Sequence, residues 1–169
     1  MKSSGEGTTF TKPRVFLDAV VLIRGVCFKG YCYKIIQHAI KRRFETLLSP
    51  LVLESARKHI TKLFPTHLEE FEKLLRLLPY ITIPDPSVEE VKQNLNLLRD
   101  ESDIPVALSA IHGKADILVS ADKDFTDVDE TTELLRSKIT IMKPGSFLKE
   151  VIGLTSEDLD KLSMQNQST

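Results

Sequence analysis

Asp103-Ile104-Pro105-Val106-Ala107-Leu108-Ser109-Ala110-Ile111-His112-Gly113-Lys114-Ala115-Asp116-Ile117-Leu118-Val119-Ser120-Ala121-Asp122-Lys123-Asp124-Phe125 is the most legible stretch of the chain. Ile104, Ala107, Leu108 and Ile111 share one helical stripe, with Pro105 just inside its start and Gly113 at its end. After a short connection, Ile117-Leu118-Val119-Ser120 is a continuous apolar run, the pattern of a strand buried on both faces. The chain then turns polar at once, through Asp122, Lys123 and Asp124. A helix feeding a buried strand is half of a parallel βαβ unit, so the stretch predicts an α/β fold.

The flanking sequence repeats the alternation. Arg14-Val15-Phe16-Leu17-Asp18 reads as a buried first strand closed by an acid. Gly30 opens a helix carrying Tyr33, Ile36 and Ile40, which ends at the basic cluster Lys41-Arg42-Arg43. Residues 44–48 form a second strand candidate. Ser49 and Pro50 mark a helix start, Leu53, Ala56 and Ile60 continue it, and Pro65 stops it. Thr66 is expected to cap a further helix through Leu68, Phe71, Leu75 and Leu78. Residues 80–83 are a weak extended candidate. Ser87 and Glu90 have capping-box spacing ahead of Val91, Leu95 and Leu98. Residues 139–142 give a last strand, and Pro144-Gly145-Ser146-Phe147 leads into a closing helix. The pattern predicts a three-layer α/β/α architecture with a mainly parallel central sheet. It divides into a disordered tail (1–12), one domain (13–152) and a partly disordered C-terminal extension (153–169).

Composition narrows the class. A length of 169 residues suits one domain of this kind. Twenty-three Lys and Arg against 24 Asp and Glu give a net charge of -1, which excludes a strongly basic nucleic-acid wrapper but not a local basic patch. Two cysteines, Cys27 and Cys32, exclude a disulfide scaffold and fit a reducing compartment. The longest apolar runs fall far short of the roughly 18 residues that span a bilayer. With a polar opening, the chain is expected to be cytoplasmic, without a secretory leader or a membrane partner. Its seven glycines match no phosphate-cradling loop.

Ligands of an open parallel sheet bind beyond the carboxyl ends of its strands. Asp18 closes the first strand there, and Asp122 and Asp124 follow the strand at 117–120. Asp103 opens the helix that feeds that strand, so it projects toward the same rim. Two like charges about 4 Å apart repel by roughly 4 kcal/mol at an effective dielectric near 20. Such a cluster either holds protons or binds a cation. All-oxygen donors favour Mg²⁺ or Mn²⁺ over zinc, and such an ion can activate water against a phosphodiester. Each acid also has a plainer reading. Asp103 is a good helix N-cap, Asp124 fits a solvated turn, and Asp127, Asp129 and Glu130 read as solvated acids. Cys27, Cys32 and His38 fit no zinc signature, and His59, His67 and His112 fall on separate segments. Lys123 between two candidate ligands is placed to contact a phosphate or to offset its acidic neighbours. Lys41-Arg42-Arg43 and Arg57-Lys58 are basic patches that suit RNA or a helix end.

These residues together resemble the PIN domain, a family of metal-dependent nucleases that includes the toxin ribonucleases of bacterial toxin–antitoxin pairs. The resemblance lies in the opening Val15-Phe16-Leu17-Asp18-Ala19-Val20-Val21-Leu22-Ile23. It continues in the Asp103 helix, in Ser120-Ala121-Asp122-Lys123-Asp124-Phe125, and in the closing Ile139-Thr140-Ile141-Met142-Lys143-Pro144-Gly145-Ser146-Phe147-Leu148. It implies hydrolysis of RNA by a Mg²⁺ or Mn²⁺ ion on Asp18, Asp103 and Asp122, with Asp124 as a further ligand. It also implies an antitoxin protein as partner and a homodimer. Two positions depart from the family pattern. Val20 stands where a polar residue is usual, and Ser55 occupies the slot of the second acid. Glu54, one residue earlier, is the substitute, although a one-residue step turns a helical side chain by about 100 degrees. The alternative is a PIN-like module that binds RNA or protein and has lost catalysis.

Overall fold

The structure, a computed structural model, describes residues 11–128 and 132–167. Most of the expected N-terminal tail, the acids Asp129 and Glu130, and residues 168–169 lie outside the described residues. Five strands, β1 (Arg14–Leu17), β2 (Glu45–Leu48), β3 (Ile81–Thr82), β4 (Ile117–Val119) and β5 (Thr140–Met142), form one sheet in the order β3-β2-β1-β4-β5. Every neighbouring pair is parallel. The central strands are the most apolar: Val15, Phe16, Leu17, Leu118 and Val119 are wholly buried. Edge strand β3 exposes both Ile81 and Thr82.

Parallel neighbours need helical crossovers, and right-handed ones set their side of the sheet. The chain moves from β1 to β2 to β3 in one direction through α1 (Ala19–Cys27), α2 (Tyr31–Ile40), α3 (Pro50–Leu63) and α4 (Leu68–Leu77). These helices share one face, where α1 packs on α2, α3 and α4. The return from β3 to β4 through α5 (Val88–Lys92) and α6 (Ile104–His112) covers the opposite face. The step to β5 follows with α7 (Lys123–Thr126) and α8 (Glu133–Arg136). Beyond β5 lie α9 (Pro144–Phe147), a π-helical stretch (Leu148–Ile152) and α10 (Ser156–Gln167), with α9 and α10 both packed on α2. The expected three-layer α/β/α fold is the observed one.

Local signals explain most boundaries. The Ser49 hydroxyl accepts from the Val52 amide with Pro50 in the first turn of α3, and Ser87 caps α5 through the Glu90 amide. Two details differ from expectation, and one element was unassigned. The apolar run after Asp18, to which the sequence reading gives no element, is helix: apart from Arg24 every residue of α1 is apolar or glycine, so no polar face reveals its period. Gly25 lets α1 and α2 approach, since a Cβ there would stand 2.6 Å from Ile36 Cγ1. Thr66 does not cap α4, because Pro65–His67 forms a 3-10 turn and His67 takes the cap position without a side-chain bond. Helix α5 ends at Lys92, short of Leu95 and Leu98, and Asn94 folds back to donate to the Glu90 carbonyl.

Candidate active site at the switch between β1 and β4

The chain leaves β1 toward β2 on one side, while β4 pairs on the other, so the crossovers diverge between β1 and β4. A crevice at such a switch point is the default ligand site of an open α/β sheet. Asp18 sits at its mouth. The Asp18 amide donates to the Val119 carbonyl at 3.1 Å, which continues the β1–β4 ladder by one residue. That register brings Ser120 beside the acid. The Ser120 hydroxyl donates to Asp18 Oδ2 at 2.8 Å and accepts from the Asp122 amide at 3.0 Å. Asp18 Oδ1 accepts from the Ala19 amide at 2.7 Å, so the same carboxylate caps α1. Asp122 Oδ1 accepts from the Asp124 amide at 2.9 Å, which turns the chain into α7. Burial pushes the Asp18 carboxyl up, against the bonds from Ser120 and Ala19 that hold it down, and the Asp122 charge adds to the rise.

Asp103 is the least satisfied of the set. It stands at the N-cap of α6, yet its backbone is helical (φ -91, ψ -13) and its side chain makes no capping bond. The plain capping reading is therefore not what this carboxylate does. Its Oδ2 is buried with no hydrogen-bond partner. The carboxyl is pushed up to about 7, by burial first and then by the charges of Asp122, Asp100, Asp18 and Asp124. Asp122 thus bears on both Asp18 and Asp103, and it ties the β1 end of the cluster to the α6 end.

Asp100 went unrecognised in the sequence. One oxygen each of Asp100, Asp103 and Asp124 lies within 4.8 Å of the others. The signal was the spacing: Asp100 caps the 3-10 turn Glu101–Asp103, and the Asp103 amide donates to the Asp100 carbonyl at 3.1 Å, which closes the three-residue step between the two acids. Its carboxylate is held below the ordinary range by the Ser102 hydroxyl and amide, at 2.7 and 2.9 Å. Ser120 is the other position of the cluster that was missed. Its place in the Ser-x-Asp-x-Asp run was visible, but its bridge from Asp18 to Asp122 exists only once β1 pairs with β4. The guanidinium of Arg99 approaches Asp124 Oδ1 at 3.1 Å and Asp127 Oδ2 at 3.5 Å, on the outer side of the cluster.

Both Glu54 and Ser55 are exposed on α3, and Glu54 is not among the charges that raise Asp18 or Asp103. Val20 is half-buried in the first turn of α1. The cysteines are free thiols, and burial pushes Cys32 up to about 12, which makes it a poor ligand. His112 pairs with Glu90 at 2.6 Å and His67 with Glu70 at 3.4 Å, outside the carboxylate cluster.

The sequence profile of the PIN domain matches residues 14–124, from the first residue of β1 through Asp124. The chain belongs to the PIN domain family. Among solved structures it is similar to VapBC2 from Rickettsia felis, bound to a DNA fragment from their promoter. That match has 16% identity and a TM-score of 0.51 over 77% of this chain and 98% of that one. It is also similar to PAE2754 from Pyrobaculum aerophilum, with 18% identity and a TM-score of 0.55 over 84% of this chain and 91% of that one. At such identities the likeness is one of fold. No curated protein matches this chain.

PIN domains are typically nucleases that use a divalent metal, and the residues present here fit such an ion. The donors are all carboxylate oxygens, the class that hard divalent cations take. The buried, unpartnered Asp103 Oδ2 faces four like charges without a neutralising bond of its own. Unbonded buried charge of this kind is costly unless a proton or a cation offsets it.

Proposed function

We propose that this PIN domain is a divalent-metal-dependent ribonuclease that hydrolyses the phosphodiester bonds of RNA. The carrying observation is Asp103: a carboxylate at a helix start that declines the cap, buries an unbonded oxygen and meets the charges of Asp122, Asp100, Asp18 and Asp124. Asp18, Asp103, Asp122 and Asp124 would hold Mg²⁺ or Mn²⁺, with Asp100 beside them. A divalent ion in such a site supplies Lewis-acid polarisation of the phosphodiester and a water of lowered pKa. The rest falls to the chain itself. Ser120 fixes the rotamer of Asp18 by donating to Oδ2 and sets the height of the Asp122 backbone by accepting its amide. The Ala19 amide takes the other Asp18 oxygen, so the carboxylate is oriented before any ligand arrives. RNA as substrate, cytoplasmic location, action as the toxin of a toxin–antitoxin pair, a homodimeric state and an antitoxin protein as partner follow from the family resemblance. The likeness to VapBC2 favours the same branch.

The test is cleavage of an end-labelled single-stranded RNA by wild type and by Asp103→Asn, with Mn²⁺ and with EDTA. Products formed only by wild type with Mn²⁺ support the reading, and identical background in all four reactions overturns it. The exposure of Glu54 and the serine at position 55 favour a second reading, a PIN module that binds RNA or protein without cutting. RNA retention on a filter without products would decide for it.

A further inference from the structure

A cavity of about 440 Å³ opens at the same carboxyl edge, on the other side of the β4–α7 turn from the acids. The turn that aims Asp122 and Asp124 at the acidic cluster gives Ala121 and Lys123 to this cavity. Lys143 and Gly145 line it from the turn after β5, Arg24 and Tyr31 from α1 and α2, and Leu162 from α10. Its charge is opposite to that of its neighbour. Arg24, Lys123 and Lys143 face a single carboxylate, Asp127, which already pairs with Arg99. Among the described residues, none of the three cations forms an ion pair. Three cations against one carboxylate around a concave surface attract an anion. The aromatic wall is built closely: a Cβ on Gly145 would meet the Tyr31 ring at 3.3 Å, so glycine lets the ring lie against the β5–α9 turn. The volume falls in the range that encloses a small ligand. The profile match ends at residue 124, so Lys143, Gly145 and α10 lie outside the matched residues.

We propose that this cavity holds one nucleotide of the RNA strand beside the phosphodiester to be cut, its phosphate on Arg24, Lys123 and Lys143 and its base against Tyr31. The assignment rests on the nuclease reading of the adjacent acids. Backbone phosphates are commonly bound by Lys and Arg, and single-stranded bases by stacking on aromatic rings. A shared turn with acids on one side and Lys123 on the other would place a bound phosphate chain across the acidic mouth.

The experiment separates this proposal from the nuclease reading by omitting metal and cleavage. Uridine 5′-monophosphate, adenosine 5′-monophosphate, uridine and inorganic phosphate are titrated into the full chain in EDTA, followed by amide chemical shifts. The nucleotides are expected to shift residues around Ala121, Lys143 and Gly145 and to bind more tightly than uridine or phosphate. Tyr31→Ala should weaken nucleotide binding about tenfold, and Lys143→Glu by about tenfold or more. Both variants should keep the Mn²⁺-induced thermal shift, which reports the acids. With labelled RNA and Mn²⁺, Lys143→Glu should raise KM. Nucleotides that bind no better than inorganic phosphate, or a Lys143→Glu protein that binds them as wild type does, would overturn the cavity assignment and leave the nuclease reading standing. Nucleotide binding by a wild type that never cleaves RNA would do the reverse.

Discussion

The carboxyl edge of the sheet has two halves that use similar residues differently. Over β2 and β3, Ser49 and Asp85 both serve the start of α3: Ser49 accepts from the Val52 amide and Asp85 Oδ1 from the Leu51 amide. Glu54 and Ser55 then point into solvent. Over β1 and β4, Asp18 and Asp122 also accept backbone amides, but Asp103 does not, and its Oδ2 is left buried and unbonded among like charges. One half is complete as protein structure. The other is complete only with a proton or a cation added. An acid at a helix start therefore says little until its hydrogen bonds are counted, because capping and ligation compete for the same oxygens.

That contrast can be broken most directly by Asp103→Asn. RNA cleavage should fall by more than about a hundredfold, since even outer-shell losses at metal sites cost 10- to 100-fold. A variant that cuts at the wild-type rate, measured on labelled RNA with Mn²⁺, would show the unbonded oxygen to be idle.

The pH dependence comes next. Asp103 has a folded-state value of about 7 against an ordinary 3.8, so the metal-free fold holds the extra proton between those limits. Its contribution to stability is complete below about pH 4 and is lost as pH rises through about 7. Melting temperatures in EDTA should decline across this window, and Asp103→Asn should flatten the decline. Added Mn²⁺ should reverse the trend, with a thermal shift that grows from pH 6 to pH 8 because the ion competes with that proton. A Mn²⁺ shift that is independent of pH would mean that another group binds the ion.

Ser120→Ala sharpens the comparison from the protein side. Losing the hydroxyl strips one bond from buried Asp18 and one from the Asp122 amide, and it should cost about 1–3 kcal/mol in urea unfolding as well as slowing cleavage. Unchanged stability would mean that the bridge contributes nothing. The smallest effect is expected at Glu54→Gln, on the exposed half. Its stability change should stay within about 0.5 kcal/mol and its cleavage should match wild type. A clear loss of cleavage would place Glu54 in the site after all and remove the distinction between the two halves.

Much of this molecule was legible in residues 103–125 alone. The helix from Ile104, its end at Gly113, the buried strand and the acids after it follow from spacing that no tertiary contact alters. The same holds for Ser49-Pro50 at the start of α3 and Ser87 at α5. Helix α1 was not legible, because Arg24 is its single polar residue and an almost wholly apolar run carries no alternation for periodicity to read. Asp100 was passed over because its spacing to Asp103 gains meaning only when the fold brings Asp124 beside both.

What the chain alone determined is therefore local: which segments are helix or strand, and that acids end or begin the segments at one edge. Such features depend on contacts a few residues apart, which any sequence carries openly. The tertiary structure decided the rest, because the pairing of β1 with β4 joins residues about a hundred positions apart. Only that pairing sets Ser120 against Asp18, leaves Asp103 without a partner, and turns Lys123 toward the basic cavity behind the acids.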